Sequence, residues 1–115
     1  MPENEIIKDI AKTLEILPGV YAWRNNTGAV KRGPGRYVRF GKKGSGDFLG
    51  LIKGGRFLAI EAKQPGENQS PDQVEFQEEV EALGGLYLLA ESGPEIVPII
   101  TQAIEEEMRK NENTR

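Results

Sequence analysis

Cysteine and histidine are both absent from the 115 residues. Their absence excludes disulfides, thiolate-bound zinc, iron–sulfur clusters, cysteine or serine–histidine nucleophiles and a histidine general base. Any metal must sit on oxygen ligands, which leaves magnesium, manganese or calcium as candidates. No apolar run approaches the ~20 residues of a membrane span. Residues 1–17 alternate charges with isoleucines, unlike a signal peptide, so the expected compartment is the cytoplasm. What is present is an ordinary globular composition, 37% apolar and 29% charged, at a length that suits one domain over residues 1–115.

The net charge of −3 hides a strong asymmetry. Residues 24–63 carry ten basic groups against only Asp47 and Glu61, a balance of +8, whereas residues 64–115 carry three basic and twelve acidic groups, a balance of −9. A glycine-punctuated basic segment of this kind reads either as a phosphate-binding surface or as a solvated loop. Its candidate phosphate contacts are Arg24, Lys31, Arg32, Arg36, Arg39, Lys42 and Lys43.

The apolar stripe Ile6, Ile7, Ile10, Leu14 and Leu17 predicts a helix over about residues 3–17, stopped by Pro18-Gly19. Residues 20–24 and 37–40 read as short strands, with an exposed loop or wide hairpin tip over 25–35 between them. Residues 47–52 and 56–63 read as strands joined by Lys53-Gly54-Gly55, a hairpin signal. The segment 56–63 is apolar on both faces, as in a central strand. Ser70, Pro71 and Gln73 start a helix over about 71–83 with a capping box, and Val74, Phe76, Val80 and Leu83 form its expected apolar side. A buried strand over 86–90 follows, then a helix opened by a Ser92–Glu95 capping box and running to about residue 110, with the last five residues frayed. The expected fold is α/β, a mixed central sheet flanked by helices in the order α-β-β-β-β-α-β-α.

If the hairpin turns about Gly54, Asp47 stands opposite Glu61 with both side chains on one face and Cα atoms ~4.5–5.5 Å apart. Two carboxylates this close repel unless a proton or a cation lies between them. Lys63, two residues beyond Glu61, points to the same face and could orient a water or balance phosphate charge. The competing reading is an ordinary salt bridge at two strand ends. Glu3 projects near the centre of the first helix's apolar stripe, whereas Glu5 lies on its solvent side. Glu3 therefore serves either as a third acid for the site or as a favourable charge at a helix N-terminus, worth ~0.3–1 kcal/mol.

At these residues the sequence resembles the PD-(D/E)XK nuclease superfamily, and within it the VRR-NUC (virus-type replication–repair nuclease) family. The likeness runs through Glu3 on the leading helix, Trp23-Arg24-Asn25-Asn26-Thr27-Gly28, Gly44-Ser45-Gly46-Asp47, Ile60-Glu61-Ala62-Lys63, Ser70-Pro71-Asp72-Gln73 and Gly84-Gly85 with Tyr87. Gly46 stands where the family usually has proline. The resemblance implies a restriction-endonuclease-like core and a metal-dependent endonuclease that hydrolyses DNA phosphodiesters. Asp47, Glu61 and the Ala62 carbonyl would hold Mg²⁺ or Mn²⁺, Lys63 would position the attacking water, and Glu3 would complete the site. Gln73 would orient Lys63 or the substrate, although capping explains it almost as well. Asn26 and Thr27 would join the basic residues in DNA binding. Small members of the family imply a homodimer acting on branched DNA such as four-way (Holliday) junctions, often phage-encoded and then working in the host cytoplasm. The alternatives are a non-catalytic nucleic-acid-binding module, which leaves the two opposed acids without a purpose, and a restriction-type or exonucleolytic enzyme on the same fold.

Overall fold

The computed structural model describes residues 1–113. Along the chain these form α1 (Glu3–Ile16), β1 (Val20–Arg24), β2 (Gly28–Lys31), β3 (Tyr37–Phe40), β4 (Phe48–Ile52), β5 (Arg56–Ala62), α2 (Pro71–Ala82), β6 (Leu86–Ala90) and α3 (Ile96–Asn113). The central sheet is mixed and four-stranded, in the order β1-β4-β5-β6, with β6 parallel to β5 and the other neighbours antiparallel. This is the mixed α/β architecture that the sequence implies, and β5 is the central strand read from its two apolar faces.

The segment 25–35 departs from expectation. Gly28–Lys31 is a strand, and it pairs with Tyr37–Phe40 in a separate two-stranded sheet that does not join the central one. Gly33, Pro34 and Gly35 close its tip, where the Arg36 amide donates to the Gly33 carbonyl. Every residue from Asn26 to Lys43 is exposed, so the hairpin stands clear of the core.

The main core lies between one face of the sheet and helices α1 and α3. Ile6, Ile10, Ile52, Leu58, Ile60, Ile96 and Ile100 are fully buried there. Each such side chain contributes about 1.5–3 kcal/mol by leaving water. Helix α2 covers part of the opposite face, where Val80 and Phe76 meet Ala59 and Tyr87. The expected apolar side of α2 is corrected here, because Val74 and Leu83 are exposed. The inward stripe is Gln73, Phe76, Gln77 and Val80, at helical spacing, and its two glutamines face a polar region.

Helix α3 begins at Ile96, later than a Ser92 cap requires. Glu95 Oε1 accepts from the Glu91 amide, and the Ser92 hydroxyl donates to Glu95 Oε2 at 3.5 Å, so the pair closes a turn before the helix. The Gly93 amide donates to Asp9 Oδ2 at 2.7 Å and ties that turn to α1. The helix continues through Asn113, beyond the expected end near residue 110; of the five residues expected to fray, 114–115 lie outside the described residues. Among the described residues no helix is long and apolar enough to cross a membrane.

Candidate functional site

The β4–β5 hairpin has the register expected from its turn: Phe48 pairs with Ile60, Gly50 with Leu58 and Ile52 with Arg56. One residue earlier the two strands part. The Asp47 amide donates to the Ile60 carbonyl at 2.8 Å, and Asp47 Oδ2 accepts from the Ala62 amide at 2.7 Å. A side-chain oxygen thus replaces the carbonyl that a continuing strand would supply. On the other edge of β5 the Lys63 amide donates to the Ala90 carbonyl at 2.9 Å. In an extended strand the N–H and C=O of one residue share an edge. The Ala62 carbonyl is therefore directed to the Asp47 side, into the gap between the parting strands.

The parting depends on Gly46, whose φ of +96° lies in the left-handed region. A Cβ there would stand 3.1 Å from the Ile60 carbonyl oxygen and 3.7 Å from Glu61 Oε2. Proline, with φ near −65°, cannot take this conformation, so Gly46 is a requirement of the local path of this chain.

Glu3, Asp47 and Glu61 each bring a carboxylate oxygen to a cluster in which these atoms lie within 4.8 Å of one another. They come from the start of α1, the residue before β4 and the end of β5. Glu61 is only 6% exposed, Asp47 is half-buried and Glu3 is the most open. Burial, then the charge of Asp47, pushes the Glu61 carboxyl up to about 7; Glu3 adds to this and Lys63 opposes it. A buried acid among acids needs a proton or a cation. With neither sulfur nor imidazole nearby, the donor set fits a hard divalent ion on oxygen ligands.

Lys63, 7% exposed, points to the same face as Glu61. Its Nζ donates to Gln73 Oε1 at 2.7 Å and to the Asn68 carbonyl at 3.4 Å, and lies 3.9 Å from Glu67 Oε2. Gln73 does more than cap. Its Oε1 also accepts from the Ser70 amide, its own amide donates to Ser70 Oγ, and its Nε2 donates to Glu61 Oε1 at 2.9 Å. The capping box of α2 is thereby part of the site.

The chain matches no family model and no curated protein.

The expected phosphate contacts divide into groups. Arg24 is built into the frame: its Nη1 donates to the carbonyls of Asn25 and Asp47 at 2.6 and 2.8 Å, lies 3.5 Å from Asp47 Oδ1, and its guanidinium sits over the Phe48 ring. Lys43 pairs with Asp72 at 3.3 Å, and Lys42 borders the same acidic stretch of α2. Lys31, Arg32, Arg36 and Arg39 lie on the projecting hairpin with no ion pair among the described residues. Asn26 is exposed, and Thr27 lines a cleft of about 150 Å³ that leads to Asp47 and Glu61.

Asn25 was missing from the sequence-derived site. Its Nδ2 donates to Ser45 Oγ at 2.8 Å and to the Gly46 carbonyl at 2.9 Å, and its amide donates to the Asp47 carbonyl at 2.7 Å. It fastens the loop that presents Asp47. The only signal in the sequence is its place between Arg24 and Asn26; which asparagine turns inward depends on the end of β1.

Proposed function

We propose that the protein is a divalent-metal-dependent DNA endonuclease of the VRR-NUC kind, acting as a homodimer on branched DNA such as four-way junctions. The observation that carries this reading is the convergence of Glu3, Asp47 and Glu61 from three elements beside a buried lysine, Lys63, that directly follows β5.

Asp47, Glu61 and the Ala62 carbonyl would hold Mg²⁺ or Mn²⁺, and Glu3 would close the open side. Such an ion, when bound, supplies a Lewis acid for a phosphate oxygen and a water of lowered pKa. Lys63 Nζ, held by Gln73, directs its remaining donor capacity toward an attacking water or a phosphate oxygen. Gln73 keeps Lys63 and Glu61 in a fixed relation through one amide group. Arg24 and Asn25 hold the segment that carries Asp47. The basic hairpin supplies phosphate contacts without sequence reading.

An uncovered part of the sheet supports a second copy as partner. Tyr21, Leu51 and Phe57 align across β1, β4 and β5, with Trp23 beside Tyr21, and all four are exposed. From the areas of aromatic side chains, this patch is on the order of 400 Å², the size of the largest apolar patch on a typical monomer, which is often functional. Two-fold packing of the patch would set two sites against symmetric strands.

The test is incubation of a labelled four-way junction and a linear duplex with Mg²⁺, Mn²⁺ or a chelator. The reading predicts cutting of the junction in either metal and none in the chelator. Binding without cutting in both metals would favour a non-catalytic module, and cutting of linear duplex at one fixed sequence would favour a restriction-type enzyme.

A further inference from the structure

The β2–β3 hairpin has two unlike faces. Its register sets Val30 against Val38 and Gly28 against Phe40 on one face, and Lys31 against Tyr37 and Ala29 against Arg39 on the other. The Phe40 ring lies across Gly28, with ring carbons 3.2–3.8 Å from where a Cβ would stand. Val30, Val38 and Phe40 are 40%, 49% and 43% exposed, on a two-stranded sheet that does not join the central one. An isolated two-stranded hairpin is marginal in water, so an apolar face left bare on one calls for an occupant.

The charges identify the occupant. The Arg32 amide donates to the Arg36 carbonyl at 2.9 Å, which continues the ladder and sets these two arginines opposite each other at the tip, beyond Val30 and Val38. Like charges in that relation repel. No acidic residue occurs between Asn26 and Gly46. The partner must therefore be anionic and also present flat apolar surface. Nucleic acid does so where its bases are unstacked, and a fully stacked duplex does not. Position points the same way: the cleft at the hairpin base, lined by Thr27, Gly28, Arg39 and Phe40, adjoins the cleft of the acid site through Thr27.

We propose that the hairpin is a base-docking wedge, in which Val30, Val38 and Phe40 receive unstacked nucleobases at an opening in DNA while Arg32 and Arg36 hold the flanking phosphates. The inference rests on the nuclease reading for its substrate, and it assigns the preference for branched or opened DNA to this hairpin.

The test measures affinity in EDTA, which holds off metal-dependent cutting, for a labelled linear duplex and for a duplex of equal length with a central unpaired bubble. Wild type should bind the bubble about 10-fold more tightly. Val38→Ser combined with Phe40→Ala should bring that ratio to about one, and Arg32→Gln with Arg36→Gln should weaken both complexes alike. A thermal melt of each variant checks folding, which should hold because the hairpin lies outside the core. An unchanged ratio in the Val38→Ser, Phe40→Ala protein overturns the wedge, as does equal affinity of wild type for the two DNAs. Tighter binding to vesicles of anionic phospholipid than to the bubble also overturns it. Bubble preference without metal-dependent cutting supports the wedge and removes the nuclease reading alone; no binding to either DNA overturns both.

Discussion

Gln73 Nε2 donates to Glu61 Oε1 across 2.9 Å, and the same amide's oxygen accepts from Lys63 Nζ and from the Ser70 amide. One side chain thereby joins the start of α2 to an acid on β5 and to the lysine just beyond that strand.

Two substitutions separate its roles. Ser70→Ala removes only the cap and should cost about 1 kcal/mol of stability, with the cutting rate kept within about twofold. Gln73→Ala loses the cap contact together with the partners of Lys63 and Glu61, so the rate should fall by about 10–100-fold, as for residues that orient metal ligands. Urea denaturation and initial cutting rates, measured on both variants, check this.

The Glu61 carboxyl, held up at about 7 against 4.5 in a free chain, makes metal-free stability depend on pH. The folded form binds the proton more tightly than the unfolded form. Its stabilising contribution is therefore complete below about pH 4.5 and is lost as the pH climbs through 7. By linkage the loss is about 3 kcal/mol. In EDTA the melting temperature should drop by roughly 10 °C or more between pH 5 and pH 8. Asp47→Asn removes a repelling charge and should flatten the profile, and saturating Mn²⁺ should restore wild-type stability at pH 8.

Gly46→Ala forces a side chain into φ +96° beside the Ile60 carbonyl. Strain of that kind costs about 1–3 kcal/mol, and the displaced Asp47 should weaken Mn²⁺ binding. Calorimetric titration with Mn²⁺ alongside a denaturation curve should show both losses together.

The hairpin cations bear on salt dependence. Arg36→Gln should reduce the slope of log K against log salt concentration by about 0.9, one phosphate contact. Lys43→Gln, whose lysine is already paired with Asp72, should change the slope less. Filter binding between 50 and 200 mM salt suffices.

The convergence of Asp47 and Glu61 was legible because a glycine turn and the two-residue period of strands determine a hairpin register, although the strands part after Phe48 and Ile60 and the two acids do not form the expected cross-strand pair. The direction of Glu3 followed from helical phase in the same way. Gln73 was harder, since Ser-x-x-Gln is fully explained by capping, and its contacts with Lys63 and Glu61 depend on how α2 crosses the sheet. Asn25 and Arg24 read as surface residues because nothing local shows that β1 ends against the Asp47 loop. The strand at Gly28–Lys31 escaped notice since it is short and flanked by glycine, and its pairing partner forms no part of the central sheet.

In the proposed function, Asp47 and Glu61 hold the metal that cuts DNA. The most direct measurement is the initial rate of four-way-junction cutting against Mn²⁺ concentration, for wild type and for Asp47→Ala. Wild type should rise to a plateau, and Asp47→Ala should stay at least about 100-fold lower at every concentration. An Asp47→Ala protein that cuts at the wild-type rate would contradict the account.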